Sequence, residues 1–347
     1  MRIVLVGFGI VGQAFARILL EQREPLRSKY GLHPQLVAIV DKGGAIVDPR
    51  GIDIQKALEL KRNRGTVAFH ETLGIPGIDA LRILKEVDAD LLIEATPTNI
   101  KDGEPGLSHI QTALKLRRHV ITTNKGPLAL ALPALKELAD YNKVQLRFSG
   151  TVGAGTPILD FAKKCLIGDR ILAVQGILNG TTNYILTRMA EGGMDFESCL
   201  REAQASGYAE ADPSMDVDGY DAACKLVIIA NYVLGIRATL KDVSIEGIRH
   251  ITPEDIERAK KGGKVLKLIA SIDGDLKVKP MEIPRTSPLC VGGTLNAVTF
   301  KTQYSGDQTI IGKGAGGPET AEAILRDLLN IKEELLEREG KWSGGES

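Results

Sequence analysis

Aromatic side chains are scarce in this chain: one tryptophan, seven tyrosines and seven phenylalanines among 347 residues. An excess of either charge is also lacking, since 44 Lys and Arg balance 44 Asp and Glu. A neutral, aromatic-poor chain offers no field that would gather nucleic acid or an anionic membrane, which points to a small-molecule partner. No run of about 18 apolar residues occurs, so no membrane-spanning segment is expected. The opening "MRIVLVGFGIVGQAF" sets Arg2 before an apolar run, as a secretion signal would. Glycines interrupt that run, however, and no small-residue cleavage site precedes a polar start, so a cytoplasmic protein is expected. The four cysteines (Cys165, Cys199, Cys224, Cys290) are far apart, with no Cys-x-x-Cys, and read as free thiols in a reducing compartment. The five histidines lack ligand spacing, so no zinc site is expected.

What is present is a change of pattern halfway along. The segments "RIVLVGFG", "QLVAIVD", "ADLLIEAT", "HVITTNK" and "VQLRFSGTV" read as strands, several of them apolar on both faces, as in a sheet covered on both sides. Between them "IVGQAFARILLEQ", "LSHIQTALKLR" and "LPALKELADYN" carry helical spacing. Strand–helix alternation predicts an α/β fold built on a doubly wound parallel sheet. The second half reads as α+β: a strand at "ILAVQGILNG", helices over 181–191, 196–206 and 218–234, then strands at "VLKLIASI", "LKVKPMEI" and "NAVTFKT". The expected organisation is therefore a nucleotide-binding domain over 1–145, a substrate-binding domain over 146–315, a helix over 316–338 returning to the first domain, and a flexible tail over 339–347.

The loop "VLVGFGIVGQAF" places Gly7, Gly9 and Gly12 as G-x-G-x-x-G directly after a strand and at the opening of a helix. In that context the glycines allow the tight turn, the close approach of backbone to a pyrophosphate and close helix–strand packing. The helix start adds amide donors and positive dipole. This is the Rossmann fingerprint, with Phe8, Gly9, Ile10, Val11 and Gly12 against the dinucleotide. Strand two ends on Asp41, beyond the usual spacing of about 20 residues. There it would bond the ribose 2′-hydroxyl and favour NAD, while Lys42, Lys61 and Arg62 would temper its repulsion of the NADP phosphate. Farther on, "EATPTN" and "TTNKGPLA" put Thr96, Thr123 and Lys125 at strand tips, where open α/β sheets bind ligands.

The segment "GYAEADPSMDVDGYDAACK", Gly207 to Lys225, gathers Glu210, Asp212, Asp216, Asp218 and Asp221. A calcium loop is excluded: with Gly219 as the loop glycine, the position of the bidentate glutamate is Lys225. Asp218 reads as a helix N-cap. Asp221 and Lys225 stand at i and i+4, which on an exposed helix is a weak ion pair. The helix continues as "LVIIANYVLGI" without a charge, so it is expected to be buried and the pair with it. Burial and a second nearby lysine would depress the Lys225 pKa towards a value suited to proton transfer.

With "GFGIVG", "TTNKGPLA", "SGTVGAGTPI", "GILNGTTNYILTRM", "GYAEADPSMDVDGYDAACKL" and "GKGAGGPETA" in place, most of the chain resembles homoserine dehydrogenases. The resemblance implies NAD(P)-dependent interconversion of L-homoserine and L-aspartate 4-semialdehyde, in threonine and methionine biosynthesis, by a homodimer joined through the second domain. It implies Lys225 as acid/base with Asp221 beside it, Glu210, Asp216 and Asp221 on the substrate, and Lys125 near the reacting hydroxyl and the nicotinamide. Gly207 and Gly312 would close around cofactor and substrate. It also implies a sodium site on the carbonyls of Val152, Ala154 and Thr156, weakened because Ser149 stands where the family usually has glutamate. A regulatory ACT domain is not expected. Two other readings remain: another amino-acid dehydrogenase, such as an aspartate dehydrogenase-like protein, and a nucleotide-sensing Rossmann binding protein.

Overall fold

The computed structural model describes residues 1–338 and Gly340. The chain forms two compact units, Met1–Thr151 together with the segment from Gly317, and Val152–Gly316. The expected tail over 339–347 lies, Gly340 apart, outside the described residues.

In chain order the first unit runs β1 (Arg2–Val6), α1 (Ile10–Glu21), α2 (Arg23–Ser28), β2 (Gln35–Asp41), β3 (Gly44–Val47), α3 (Ile54–Arg64), β4 (Gly74–Pro76), α4 (Ala80–Glu86), β5 (Leu91–Glu94), α5 (Gly106–Lys115), β6 (His119–Thr122), α6 (Lys125–Tyr141) and β7 (Leu146–Arg147). The second unit runs α7 (Ile158–Asp160), β8 (Ile171–Ile177), α8 (Gly180–Gly192), α9 (Phe196–Ala205), α10 (Ser214–Val217), α11 (Tyr220–Tyr232), β9 (Val243–Ile245), α12 (Pro253–Lys261), β10 (Lys264–Asp273), β11 (Asp275–Pro284), β12 (Leu295–Thr302) and β13 (Asp307–Lys313). Helix α13 (Gly317–Arg338) then belongs to the first unit.

The first unit is a seven-stranded sheet in the order β4-β3-β2-β1-β5-β6-β7. Strands β2, β1, β5, β6 and β7 pair in parallel, and β3 and β4 add an antiparallel edge. Every residue of Leu91–Glu94 is buried, as a strand covered on both faces requires. The core joins Ile3, Leu5 and Ile39 of the sheet to Phe15 and Leu19 of α1 and to Ile324, Leu328 and Ile331 of α13. The fold class is thus the expected one, with local differences. Helix α6 starts at Lys125 rather than near Leu132, and its backbone leaves helical geometry at Ala131, close to Pro133. The strand expected over "VQLRFSGTV" shrinks to Leu146–Arg147, because Ser149–Thr151 coils into a 3-10 turn. The Ser149 amide bonds the Asp327 carboxylate of α13 at 2.9 Å, which keeps this turn in the first unit. The division therefore falls after Thr151, not at 145.

The second unit carries a six-stranded sheet in the order β13-β12-β8-β10-β11-β9. Helix α11 is its centrepiece: every residue from Asp221 to Ala230 is buried. Gly219, at φ +89°, precedes that helix without a side-chain cap, and Asp218 pairs with Arg249 instead of capping. Among the described residues no helix is long and apolar enough to cross a membrane.

Candidate active site

In the first unit, the turn from β1 into α1 has the shape a pyrophosphate needs. Gly9 stands at the N-cap of α1 with no side-chain cap, so the first-turn amides, which have no partner within a helix, face outward. A side chain on Gly12 would lie 2.1 Å from the Gly7 carbonyl, whereas nothing lies within 4 Å of one on Gly9. The loop is packed shut on the protein side and open on the other, as dinucleotide binding demands. Ile10 is exposed and Val11 half-buried at its rim, while the Phe8 ring is in the core and leaves only its backbone to face a ligand.

Asp41 carries a different load from the one expected. Its Oδ1 accepts from the Gly43 amide at 2.9 Å and the Thr66 hydroxyl at 2.6 Å. Its Oδ2 accepts from Lys61 at 2.7 Å and the Val67 amide at 3.1 Å. Four donors fill the lone-pair directions of the two oxygens, so none is left for a ribose hydroxyl. Burial pushes the Asp41 carboxyl up, but the bonds from Lys61, Thr66 and Gly43, with the Lys61 charge, outweigh it and hold the group below its ordinary value. Lys42 is exposed in the turn between β2 and β3.

Thr96, Thr123 and Lys125 follow the adjacent tips of β5 and β6. The Thr96 amide donates to Glu94 at 3.1 Å, and the Thr123 amide to the Glu94 carbonyl at 3.1 Å. Lys125 is the first residue of α6, half-buried and following the cap Asn124. Sequence reasoning passed over Glu94, whose side chain is wholly buried.

In the second unit the structure brings together Asp216, Asp221 and Lys225. The Lys225 ammonium donates to Asp221 at 2.7 Å and to the Leu178 carbonyl at 2.6 Å, and both side chains are buried. Asn179 organises the acids: its Nδ2 donates to Asp216 at 2.6 Å and to Asp221 at 2.9 Å. Its Oδ1 meanwhile caps α8 through the Thr182 amide. The Thr181 hydroxyl lies 3.0 Å from Asp216 and 2.8 Å from the Tyr208 carbonyl, one hydrogen for two acceptors. Burial first, and then the Asp221 charge, push the Asp216 carboxyl up. Asn179, Lys225 and Thr181 offset only part of this. Asn179 and Thr181 were not singled out from sequence, although Asn before "GTTN" carries the pattern of an N-cap.

The remaining expected residues stand apart from that cluster. Glu210 is exposed on the segment after α9, where its carbonyl accepts from the Gln204 side chain at 3.0 Å. Gly207, at φ +75°, is exposed just past α9. Gly312 lies in β13, where a side chain would meet the Thr156 hydroxyl at 2.2 Å. Val152, Ala154 and Thr156 are buried, and the Thr156 carbonyl already accepts from the Ile158 amide at 2.8 Å. Ser149 is engaged with α13 in the first unit.

Comparison with known proteins bears on both halves. The homoserine dehydrogenase family profile matches residues 157–329, and that of the glutamate/leucine/phenylalanine/valine dehydrogenases matches residues 1–106. The homoserine dehydrogenase of Methanocaldococcus jannaschii is 45% identical over 332 residues, 95% of this chain and 98% of its own. An NAD(+)-dependent homoserine dehydrogenase of Pseudomonas canavaninivorans is 38% identical, over 97% of this chain and 98% of its own. A hyperthermophilic archaeal homoserine dehydrogenase, solved in complex with NADPH, matches with a TM-score of 0.84 at 28% identity, covering 96% of this chain and 98% of that one. Identity of this order over nearly the whole of both chains means common descent: the chain belongs to the homoserine dehydrogenase family of NAD(P)-dependent oxidoreductases.

Proposed function

We propose that Lys225 is the proton donor and acceptor in the interconversion of L-homoserine and L-aspartate 4-semialdehyde. The observation that carries this is the buried ammonium held on two sides, by Asp221 and by the Leu178 carbonyl. An ammonium has three hydrogens, so the third is left for the substrate oxygen. Bound NAD(P)H supplies the hydride that reduces the aldehyde. As charge gathers on the aldehyde oxygen, Lys225 stabilises it and hands over a proton; in oxidation the roles reverse. Asp221 orients the amine. Asp216, bonded to Asn179 and close to Thr181, and Glu210 on the neighbouring segment offer negative charge to the substrate ammonium. Lys125, fixed at the start of α6, serves the reacting hydroxyl.

Homoserine-dependent reduction of NAD and of NADP, followed by absorbance, tests the assignment, and no reduction with either cofactor would overturn it. Glu210→Gln raises the KM for homoserine with kcat changed little; an unchanged KM removes Glu210 from the substrate site.

Because Lys61 neutralises Asp41, we infer that the first unit tolerates NADP as well as NAD. A homodimer, a step leading to threonine and methionine, and a sodium ion on the carbonyls of Val152, Ala154 and Thr156 rest on the family resemblance. Light scattering tests the first, complementation of a homoserine auxotroph the second, and activity with sodium exchanged for a bulky cation the third.

A further inference from the structure

We propose that Glu94 is a positioning residue for this reaction: through a closed ring of hydrogen bonds it fixes the first turn of α6 and, with it, Lys125. The inference rests on the reading that Lys125 serves the substrate.

Glu94 ends β5 inside the seven-stranded sheet and is wholly buried. An acid there is costly unless its oxygens are bonded. Its Oε1 accepts from the Thr96 amide at 3.1 Å and from the Thr96 hydroxyl, and its Oε2 from the Thr122 hydroxyl at 3.1 Å. The Thr122 oxygen accepts in turn from the Asn124 amide at 3.1 Å. The Asn124 Nδ2 returns to the Thr96 hydroxyl at 3.2 Å and also reaches the Pro97 carbonyl at 3.3 Å. The ring closes through Glu94, Thr96, Asn124 and Thr122.

This ring ties the carboxyl ends of β5 and β6, neighbours in the sheet, to the start of α6. The Asn124 Oδ1 caps that helix through the Gly126 amide at 3.1 Å. Gly126 is itself wedged in place, since a side chain there would lie 2.1 Å from the Asn99 carbonyl. Lys125 is therefore clamped on both sides, by the ring through Asn124 and by the wedge at Gly126. An apolar residue at the end of β5 would fill the sheet as well as Glu94 does, but it could not close the ring. His109 adds to the case: it is buried with its Nδ1 3.7 Å from Glu94, too long for a bond, and that nitrogen has no hydrogen-bond partner among the described residues. The carboxylate is thus committed to the threonines and not to the nearest cation-forming side chain.

The test is a double-mutant cycle read by steady-state kinetics. Glutamine keeps the shape of Glu94 but places an NH2 against one of three converging donors. Glu94→Gln is expected to lower kcat by about 10- to 100-fold, the cost of misplacing a catalytic group by an ångström or less. The KM for NAD(P) should stay within about twofold, because the glycine loop is untouched. In a Lys125→Ala background the same substitution should change the residual kcat by less than about twofold. Full turnover by Lys125→Ala would remove the role of Lys125, and that of Glu94 with it. A slow Lys125→Ala enzyme beside a fully active Glu94→Gln, or losses that multiply in the double variant, would overturn the positioning role alone. If Glu94→Gln does not fold, Thr122→Val opens the ring while keeping its volume, and the same cycle is run with it, with the same outcomes deciding.

Discussion

Lys225 and Lys267 are both buried in the second unit, at 6% and 4% exposure, yet their partners differ in kind. Lys225 lies 2.7 Å from a carboxylate. Lys267, in the middle of β10, donates to the Asn183 side-chain carbonyl at 2.7 Å and the Thr187 hydroxyl at 2.9 Å, both neutral oxygens. Burial pushes the Lys267 amine down to about 8, with Cys290 and Glu191 pulling weakly the other way. Hydrogen bonds alone satisfy the geometry of an ammonium without returning what it loses by leaving water; a counter-charge returns more. Lys267 ties β10 to α8, whose cap Asn179 holds the two acids. One lysine is therefore held between a carboxylate and a backbone carbonyl, and the other is a strut behind the helix that organises the acids.

The contrast breaks most visibly at Lys225. Lys225→Ala is expected to lower kcat by about 10²- to 10⁴-fold, the range of a lost general acid, with NAD(P) affinity nearly unchanged. It also strands Asp221 beside Asp216, at a cost of about 3–5 kcal/mol in stability, so turnover alone would be ambiguous. Combining Lys225→Met with Asp221→Asn removes both charges. The double variant should regain stability and stay inactive, and recovery of turnover would take Lys225 out of the mechanism.

Asp216 sharpens the same comparison from the acid side. Its carboxyl is pushed up, so the folded chain holds this proton to higher pH than the unfolded chain does, and folding loses stability as pH rises through that window. Asp216→Asn should therefore raise the melting temperature relative to wild type at pH 7 and lose that advantage below the ordinary carboxyl range, while the KM for homoserine rises. A variant less stable at pH 7 would show that the bonds to Asn179 and Thr181 outweigh the crowding.

In the first unit the acid–lysine pair has the opposite outcome, because Lys61 leaves Asp41 neutralised and saturated. Lys61→Met is expected to raise the KM for NADP over that for NAD by about tenfold, the size of one partly screened charge (about 1.4 kcal/mol). An unchanged ratio would place cofactor choice elsewhere than at Asp41.

These comparisons also divide what the sequence announces from what it conceals. The strands β1, β2 and β5 are apolar runs, the glycine loop is a local motif, and Asp221 and Lys225 share one face of an otherwise uncharged helix. Each is legible because its partners are close in sequence. The Asn179 clamp, the Glu94 ring and the saturation of Asp41 each depend on bonds between residues 20 or more positions apart, so no periodicity reveals them. The start of α6 lies in "KGPLALA", ahead of the segment that carries clear helical spacing, although proline is tolerated in the first turn of a helix. The short strands β3 and β4 carry too few residues to show a period.

The smallest effect belongs to Lys267, and it appears in stability rather than turnover. With its folded value near 8 against 10.5 for an ordinary lysine, the unfolded chain binds more protons between those two values. This group therefore makes folding more favourable as pH rises across that window, and below pH 8 its buried charge is a constant cost. Between pH 8 and 9 the gain is about 1 kcal/mol, since one unit of pKa corresponds to about 1.4 kcal/mol. Lys267→Met should lack this slope, so urea midpoints of wild type and variant will converge or diverge steadily over pH 8–10, with kcat near neutrality nearly unaffected. Parallel stability curves would mean that the amine titrates as it does in water, and that Asn183 and Thr187 alone hold a full charge without penalty.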